Sequence, residues 1–217
     1  MKIEYFGHSC FRLTTENGLQ ILTDPFTGVG YEMPKDVTAD FVTVSHAHFD
    51  HNFVQGVTGV KKVISQTGKT VFDTIVVDGV ASWHDEKQGA LRGKNVIYKI
   101  VADGICVCHL GDLGESCCND LLEKIGKVDV LLLPIGGRYT IDALQAKLYA
   151  DAVDCKMVIP MHYRPLDGTI DVADEKAFLR TCENVVYANP KHCVTVKKED
   201  LLNEKKILFM EREKRRG

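Results

Sequence analysis

Within six residues, His46-Ala47-His48-Phe49-Asp50-His51, this 217-residue chain sets three imidazoles and a carboxylate side by side. Neutral imidazole and ionised carboxylate are ligands for zinc and neighbouring transition metals. Without an ion, so many polar groups gathered in one place would each need another partner. The run follows Phe41–Ser45, an apolar, β-branched stretch that reads as a buried strand. A metal nucleus carried at a strand end is therefore the reading preferred over a set of separately satisfied side chains. Metal-assisted hydrolysis is the chemistry it implies.

Six residues cannot complete two coordination shells, and further donors recur in the same kind of place. His84 follows Val80–Trp83, Asp112 follows Ile105–Leu110 and Gly111, His162 follows Met157–Met161, and Asp24 follows Leu19–Thr23. Side chains gathered at strand ends from distant segments are how a rigid sheet positions loop-borne chemistry. His109, which also ends a strand, competes with His84 as the isolated imidazole. Asp24 reads either as the carboxylate behind a ligand histidine, taking its second N–H, or as a turn residue before Pro25. His8 either faces the site or packs. Arg92, in the polar loop after His84, offers a planar fork for a phosphate or carboxylate. Arg138, Tyr139 and Arg164 are similar pocket-lining candidates, whereas His192 lies far from any motif and reads as structural or exposed.

The elements that must hold these groups are mostly short strands. Ile3–Phe6, Cys10–Thr15, Gln20–Thr23, Phe41–Ser45, Val71–Asp73, Val80–Trp83, Val96–Val101 and Ile105–His109 fit that pattern. So do Val130–Leu133, Met157–Met161, Val185–Tyr187, Cys193–Val196 and Ile207–Met210, and Glu16-Asn17-Gly18 reads as a hairpin turn. Helix is expected over Ile141–Val153, with Thr140 as N-cap and Leu144 and Leu148 sharing a face with the alanines. Asp120–Ile125, Asp174–Cys182 and Lys197–Leu202 are shorter candidates, and Glu211–Gly217 reads as a solvated end. Strands outnumbering helices, with no repeat or linker, suggest one domain over residues 1–217, built of sheets covered by helices.

Composition narrows the function classes. A net charge of −3 gives no pull toward nucleic acid or anionic lipid, and no apolar run is long enough to span a bilayer. Met1–Cys10 carries polar residues where an export signal has its apolar core. The eight cysteines, with no CxxC pair, are then expected to be inert free thiols of a reducing cytoplasm.

The ordered set HxHxDH, distant His, Gly-Asp and final His resembles the metallo-β-lactamase superfamily. Phe6-Gly7-His8-Ser9-Cys10-Phe11, Leu22-Thr23-Asp24-Pro25, His109–Gly114, Leu133–Gly137 and Pro160–Tyr163 resemble its subgroup of ascorbate phosphate lactonases and related bacterial hydrolases. The resemblance implies an α/β (α+β) fold, a four-layer αββα sandwich of two mixed sheets. It implies two divalent ions, Zn²⁺ favoured and Mn²⁺ or Fe²⁺ alternatives. His46, His48 and His84 would hold the first, Asp50, His51 and His162 the second, with Asp112 bridging them. A hydroxide shared by the ions would attack a lactone or ester, that of a phosphorylated sugar acid among them, with Asp50 or Asp112 orienting it and moving its proton. Alternatives are a phosphodiesterase or a non-catalytic metal-binding module. The partner expected is a small-molecule substrate, with a homo-oligomer open.

Overall fold

The computed structural model describes residues 1–213. One mixed sheet has six strands: β1 (Lys2–Gly7), β2 (Cys10–Thr14), β3 (Gln20–Thr23), β4 (Phe41–Thr43), β5 (Lys62–Ile64) and β13 (Cys193–Thr195), in the order β13-β1-β2-β3-β4-β5. The other has eight: β6 (Gly68–Phe72), β7 (Ile75–Trp83), β8 (Lys94–Ala102), β9 (Ile105–His109), β10 (Val130–Pro134), β11 (Met157–Met161), β12 (Val185–Tyr187) and β14 (Lys206–Phe209), in the order β12-β14-β11-β10-β9-β8-β7-β6. Helices α1 (Asn119–Ile125), α2 (Ala143–Ala152) and α3 (Lys176–Leu179) lie between strands in the chain.

The inward faces of both sheets share one apolar core. Ile3, Phe11, Leu13, Ile21 and Phe41 of the first sheet meet Ile97, Ile100, Val107, Leu132 and Ile159 of the second. Alternation along each strand sends the next residue outward: Cys10, Leu22 and Val42 belong to a second cluster with Phe26, Val29, Met33 and Val57. That outer face is covered by the irregular stretch 24–40 and a 3₁₀ turn at Val54–Gly56 rather than by an α-helix. Helices α1 and α2 cover the other sheet, against β7 and β10. The architecture is the two-sheet α/β sandwich expected from sequence, with its helical layers much reduced.

Several elements differ from the sequence reading for identifiable reasons. β5 escaped notice because Lys62 and Val63 face solvent at a sheet edge, where polar residues hide the period. β7 starts at Ile75, five residues early, running through Asp78-Gly79. Glycine there is a matter of space: a Cβ on Gly79 would stand 2.5 Å from Gln66 O. The α2 helix is capped by Asp142, not Thr140, its carboxylate accepting from Leu144 N and Gln145 N at 3.0 and 2.9 Å. It buries Ala146, Tyr149 and Ala150, leaving Leu144 and Leu148 in solvent. Small residues let the helix approach the sheet, and that packing overrides the leucine spacing. The Asp174–Cys182 candidate shortens to α3, and Lys197–Leu202 becomes a 3₁₀ turn at Lys198–Leu201. Of the proposed solvated end, residues 214–217 lie outside those described. Among the described residues no helix is long and apolar enough to cross a membrane.

Strand direction explains why the candidate donors converge. In the first sheet β1 and β3 are both antiparallel to β2, and β4 is parallel to β3, so β1, β3 and β4 run the same way. In the second, β7 and β9 are both antiparallel to β8, while β9, β10 and β11 are parallel. His8, Asp24 and His46 therefore follow strands that end on one rim, and His84, Asp112 and His162 do the same in the other sheet. Val96 N donates to Ser45 O at 2.9 Å and His162 N to His8 O at 2.9 Å, tying the two rims together.

Candidate metal centre

The loop after β4 turns back at once, His51 N donating to His48 O at 3.0 Å, so that the hexapeptide folds over the rim. Asp24 is the post that holds it. One carboxylate oxygen accepts from Ser45 N at 2.8 Å; the other takes Ser45 Oγ at 2.5 Å and His51 Nδ1 at 2.9 Å. Ser45 Oγ also lies 2.9 Å from His46 Nδ1. Two of the imidazoles are thus oriented through their Nδ1 atoms, leaving Nε2 forward. Asp24, His8, His162 and Arg138 all have positive φ, between 38° and 55°. A left-handed backbone is costly for such residues, and the packed rim enforces it at this site.

Forward of that post the donors fall into two groups. His46, His48 and His84 bring one donor atom each within 4.8 Å of one another, and so do His8, Asp50, His51 and His162. Asp112 stands between. Its Oδ2 is 3.4 Å from His84 Nε2, 3.2 Å from His162 Nε2 and 3.9 Å from His46 Nε2, and its Oδ1 is 3.2 Å from His51 Nε2. Two donors about 2.1 Å from a tetrahedral ion stand roughly 3.4 Å apart, so these spacings suit ligands better than a packed core. His46 Nε2 and Asp112 Oδ1 are buried with no aligned hydrogen-bond partner among the described residues. Orphaned atoms at the heart of a polar cluster call for another partner, and a divalent cation fits both groups.

Protonation agrees. Burial, with His51 beside it, pushes His46 down to about 3, and burial with His162 nearby pushes His8 down to about 4, so both imidazoles are neutral donors. Burial alone would raise Asp112, but His162 and His51 hold it well below the carboxylate range. His51 is the exception: burial lowers it, yet Asp112 and Asp24 together raise it well above an ordinary histidine. A proton held there between two carboxylates occupies a place that a cation would take, releasing the proton.

His109 stands apart. Its Nε2 lies 2.8 Å from Ser9 O and its Nδ1 accepts from Gly111 N at 3.1 Å, so both ring nitrogens are spent on shaping the turn before Asp112. His84, not His109, stands with His46 and His48. His8 joins the second group, its Nε2 3.1 Å from Asp50 Oδ2 and 3.2 Å from His51 Nε2. A cavity of about 530 Å³ opens over both groups, walled by Phe49, Tyr139 and Ile170 and by Arg92. Arg138 does not line it; it pairs with Asp171 and sits on the Tyr139 ring, whose other contact is Arg92. Arg164 does not reach the cavity, and His192 lies away from the site, its carbonyl accepting from Tyr5 N.

Three supporting residues escaped the sequence reading. Asn95 Oδ1 accepts from Asp112 N at 3.0 Å while its amide donates to Ser82 Oγ and Leu110 O, fixing the carboxylate's strand end. Asp85 accepts four backbone N–H groups, from Lys87, Gly89, Leu91 and Arg92, and so folds the loop that carries Arg92. Ser45 links Asp24 to His46. Only Asp85 left a signal, an Asp opening a short polar loop closed by glycine.

A family model described as "Beta-lactamase superfamily domain" matches residues 2–162. A UPF0173 metal-dependent hydrolase of Methanospirillum hungatei is 33% identical over 190 residues, 77% of this chain and 84% of the relative. Another, from Methanoculleus marisnigri, is 32% identical over 84% of this chain and 89% of its own. Among solved structures, a Thermotoga maritima protein assigned to the Zn-dependent hydrolases of the metallo-β-lactamase superfamily superposes with a TM-score of 0.77 at 36% identity, covering 96% of this chain and 97% of that one. Igni18, a metallo hydrolase of Ignicoccus hospitalis, shares the fold at a TM-score of 0.65 and 23% identity, over 98% and 96% of the two chains. With the fold, the motif and these relatives in agreement, the chain belongs to the metallo-β-lactamase superfamily and to its metal-dependent hydrolases.

Proposed function

We propose that this chain is a single-domain hydrolase that holds two divalent ions, Zn²⁺ by the histidine-rich donor set, and opens a lactone or other small ester. The observation that carries the reading is Asp112, one buried carboxylate approached by the Nε2 atoms of His46, His51, His84 and His162. His46, His48 and His84 would hold one ion, Asp50, His51 and His162 the other, with Asp112 between them. Bound there, the ions would supply Lewis acidity and lower the pKa of water toward about 7.

The chain's own residues supply the rest. Asp24 fixes His51 and, through Ser45, His46, so their donor atoms need no reorganisation when substrate enters. Asp50, which lines the cavity with His8 beside its Oδ2, would hold the proton released from the attacking water and pass it to the leaving oxygen. Phe49, Ile170 and Tyr139 give the substrate an apolar wall. The lactone or ester class rests on the resemblance of the Phe6–Phe11, His109–Gly114 and Pro160–Tyr163 stretches.

Elemental analysis of gently purified protein, followed by a panel of phosphorylated lactones, carboxyl esters and phosphodiesters on the metal-reconstituted enzyme, tests the proposal. Two equivalents of transition metal and turnover of a lactone or carboxyl ester are expected. Fewer than one ion per chain, or phosphodiesters turned over in preference, would overturn it.

A further inference from the structure

On the far side of Arg92 the molecule has a second, larger cavity that the reaction described above does not use. Its volume is about 840 Å³, and it reaches the donor cluster at His46 and His48. Arg92 and His48 line both cavities, so the two share a wall. Three cations face this groove, Arg92, Lys94 and Lys124, and no aspartate or glutamate lines it. None of the three forms an ion pair among the described residues. Glu115 feels the Lys124 charge, yet its carboxylate accepts Trp83 N at 2.6 Å and stays outside the groove.

Like charges converging without a counter-charge raise one another's energy, and an anion entering the groove relieves that repulsion. The origins of the three argue against accident. Arg92 is held in place by the Asp85-capped loop, Lys94 opens β8 directly opposite Trp83, and Lys124 projects from the last turn of α1. A loop, the strand it leads into and a helix distant in sequence thus present positive charge to one concavity. Trp83 adds an aromatic surface, and Ser65, Gln66 and Thr67 add hydrogen-bonding groups to the lining.

We propose that this groove is an anion subsite: Arg92, Lys94 and Lys124 hold a phosphate or carboxylate on the non-reacting part of the substrate while its scissile bond lies over the Asp112 cluster. The inference deepens the hydrolase reading and rests on it for the word substrate. Lysine serves here as a point charge, and Arg92 as the planar fork nearest the reaction. Selectivity therefore resides in a cavity separate from the apolar wall formed by Phe49 and Ile170.

Trp83 is the chain's single tryptophan and lines the groove, so binding can be read without turnover. In the metal-loaded protein, Trp83 fluorescence is titrated with glycerol 3-phosphate, with succinate and with neutral glycerol, each at two salt concentrations. Saturable changes with one or both anions, none with glycerol, and at least about tenfold weaker binding in K94Q/K124Q are expected; the anion that binds more tightly identifies the head group. In parallel, kcat and KM are measured for a phosphorylated lactone and its neutral analogue. The double variant should lose about tenfold of the preference for the anionic lactone, chiefly through KM. Anion binding that survives K94Q/K124Q unchanged, or an equal response to glycerol, would overturn the subsite. Should neither lactone be hydrolysed while anion binding disappears in the variant, the ester reading falls and the subsite stands.

Discussion

The two donor groups flanking Asp112 are built to different standards. In the group His8, Asp50, His51 and His162 every member is buried, whereas in the group His46, His48 and His84 one histidine, His48, is exposed. The buried group is braced from behind. Asp24 takes His51 Nδ1, Tyr31 Oη accepts His8 N, Tyr5 Oη donates to His8 O, and His162 N donates to the same carbonyl. On the other side Ser45 braces the His46 ring and His84 N donates to Gly93 O at 3.1 Å, but His48 has no hydrogen bond from its ring among the described residues. The bond to His51 Nδ1 fixes that ring and raises its donor strength, and the backbone bonds fix where His8 and His162 leave the chain. The contrast teaches that one half is a rigid seat and the other an adjustable one, the adjustable half being the one open to both cavities.

Asp112→Ala should have the largest effect, because it removes the one carboxylate common to both halves. Metal content is expected to fall from two ions to below one per chain, and kcat/KM by roughly 10³-fold or more. Elemental analysis with steady-state kinetics checks it, and a variant that retained both ions would show that the halves are independent. Chelation comes next. A ligand present at 100 to 1,000 times its Kd stabilises by about 2.7–4.1 kcal/mol, so each ion stripped should lower Tm by roughly 5–16 °C for a chain of this size. A graded chelator titration followed by calorimetry should release one ion ahead of the other. His48→Ala should hasten that first release; loss of both ions in a single step would remove the rigid–adjustable distinction.

Much of the site was legible in the sequence, and the part that was not has a physical cause. The hexapeptide at 46–51, and the placing of His84, Asp112 and His162 after apolar strands, come from short-range pattern: a buried strand declares itself by β-branched residues, and its first polar successor marks the rim. That those rims coincide depends on strand direction across two sheets, which no local pattern carries. Asp24 behind a ligand histidine was one of two readings open at that position; the rest of the bracing was invisible for the same reason. Ser45 and Asn95 act through partners 21 and 17 residues away, and nothing in either residue's neighbours announces that role. α2 fails differently: its leucine spacing is real, but the close fit of Ala146 and Ala150 against the sheet decided which face was buried.

The rigid half can be loosened without touching a proposed ligand. Asp24→Asn keeps the shape of the side chain but removes the charge that receives His51 Nδ1 and Ser45 Oγ. Losing such a partner typically costs 10–100-fold in metal affinity, and the loss should fall on the buried ion. Competition with a chromogenic chelator would then show the order of release reversing or merging, while Ser45→Ala, which removes the Oγ joining Asp24 to His46 but keeps the Asp24–His51 bond, should weaken the other ion instead. If both variants weakened the same ion, the Asp24 post would not divide the site as its hydrogen bonds suggest.

The smallest effect is expected at Asp85, which reaches neither half. Asp85→Ala leaves four backbone N–H groups without their acceptor, and the loop from Lys87 to Arg92 loses its internal frame. The metal donors are untouched, so two ions should still bind and the chelator profile should not move. What changes is the Arg92 guanidinium, which stands at the wall shared by both cavities beside the adjustable half. A rise of about tenfold in KM with kcat changed by less than about threefold is the expected signature of lost positioning for binding rather than lost chemistry. An equal fall in kcat would instead mean that the loop carries its order into His84, one residue before Asp85, and that the adjustable half borrows its rigidity from this loop.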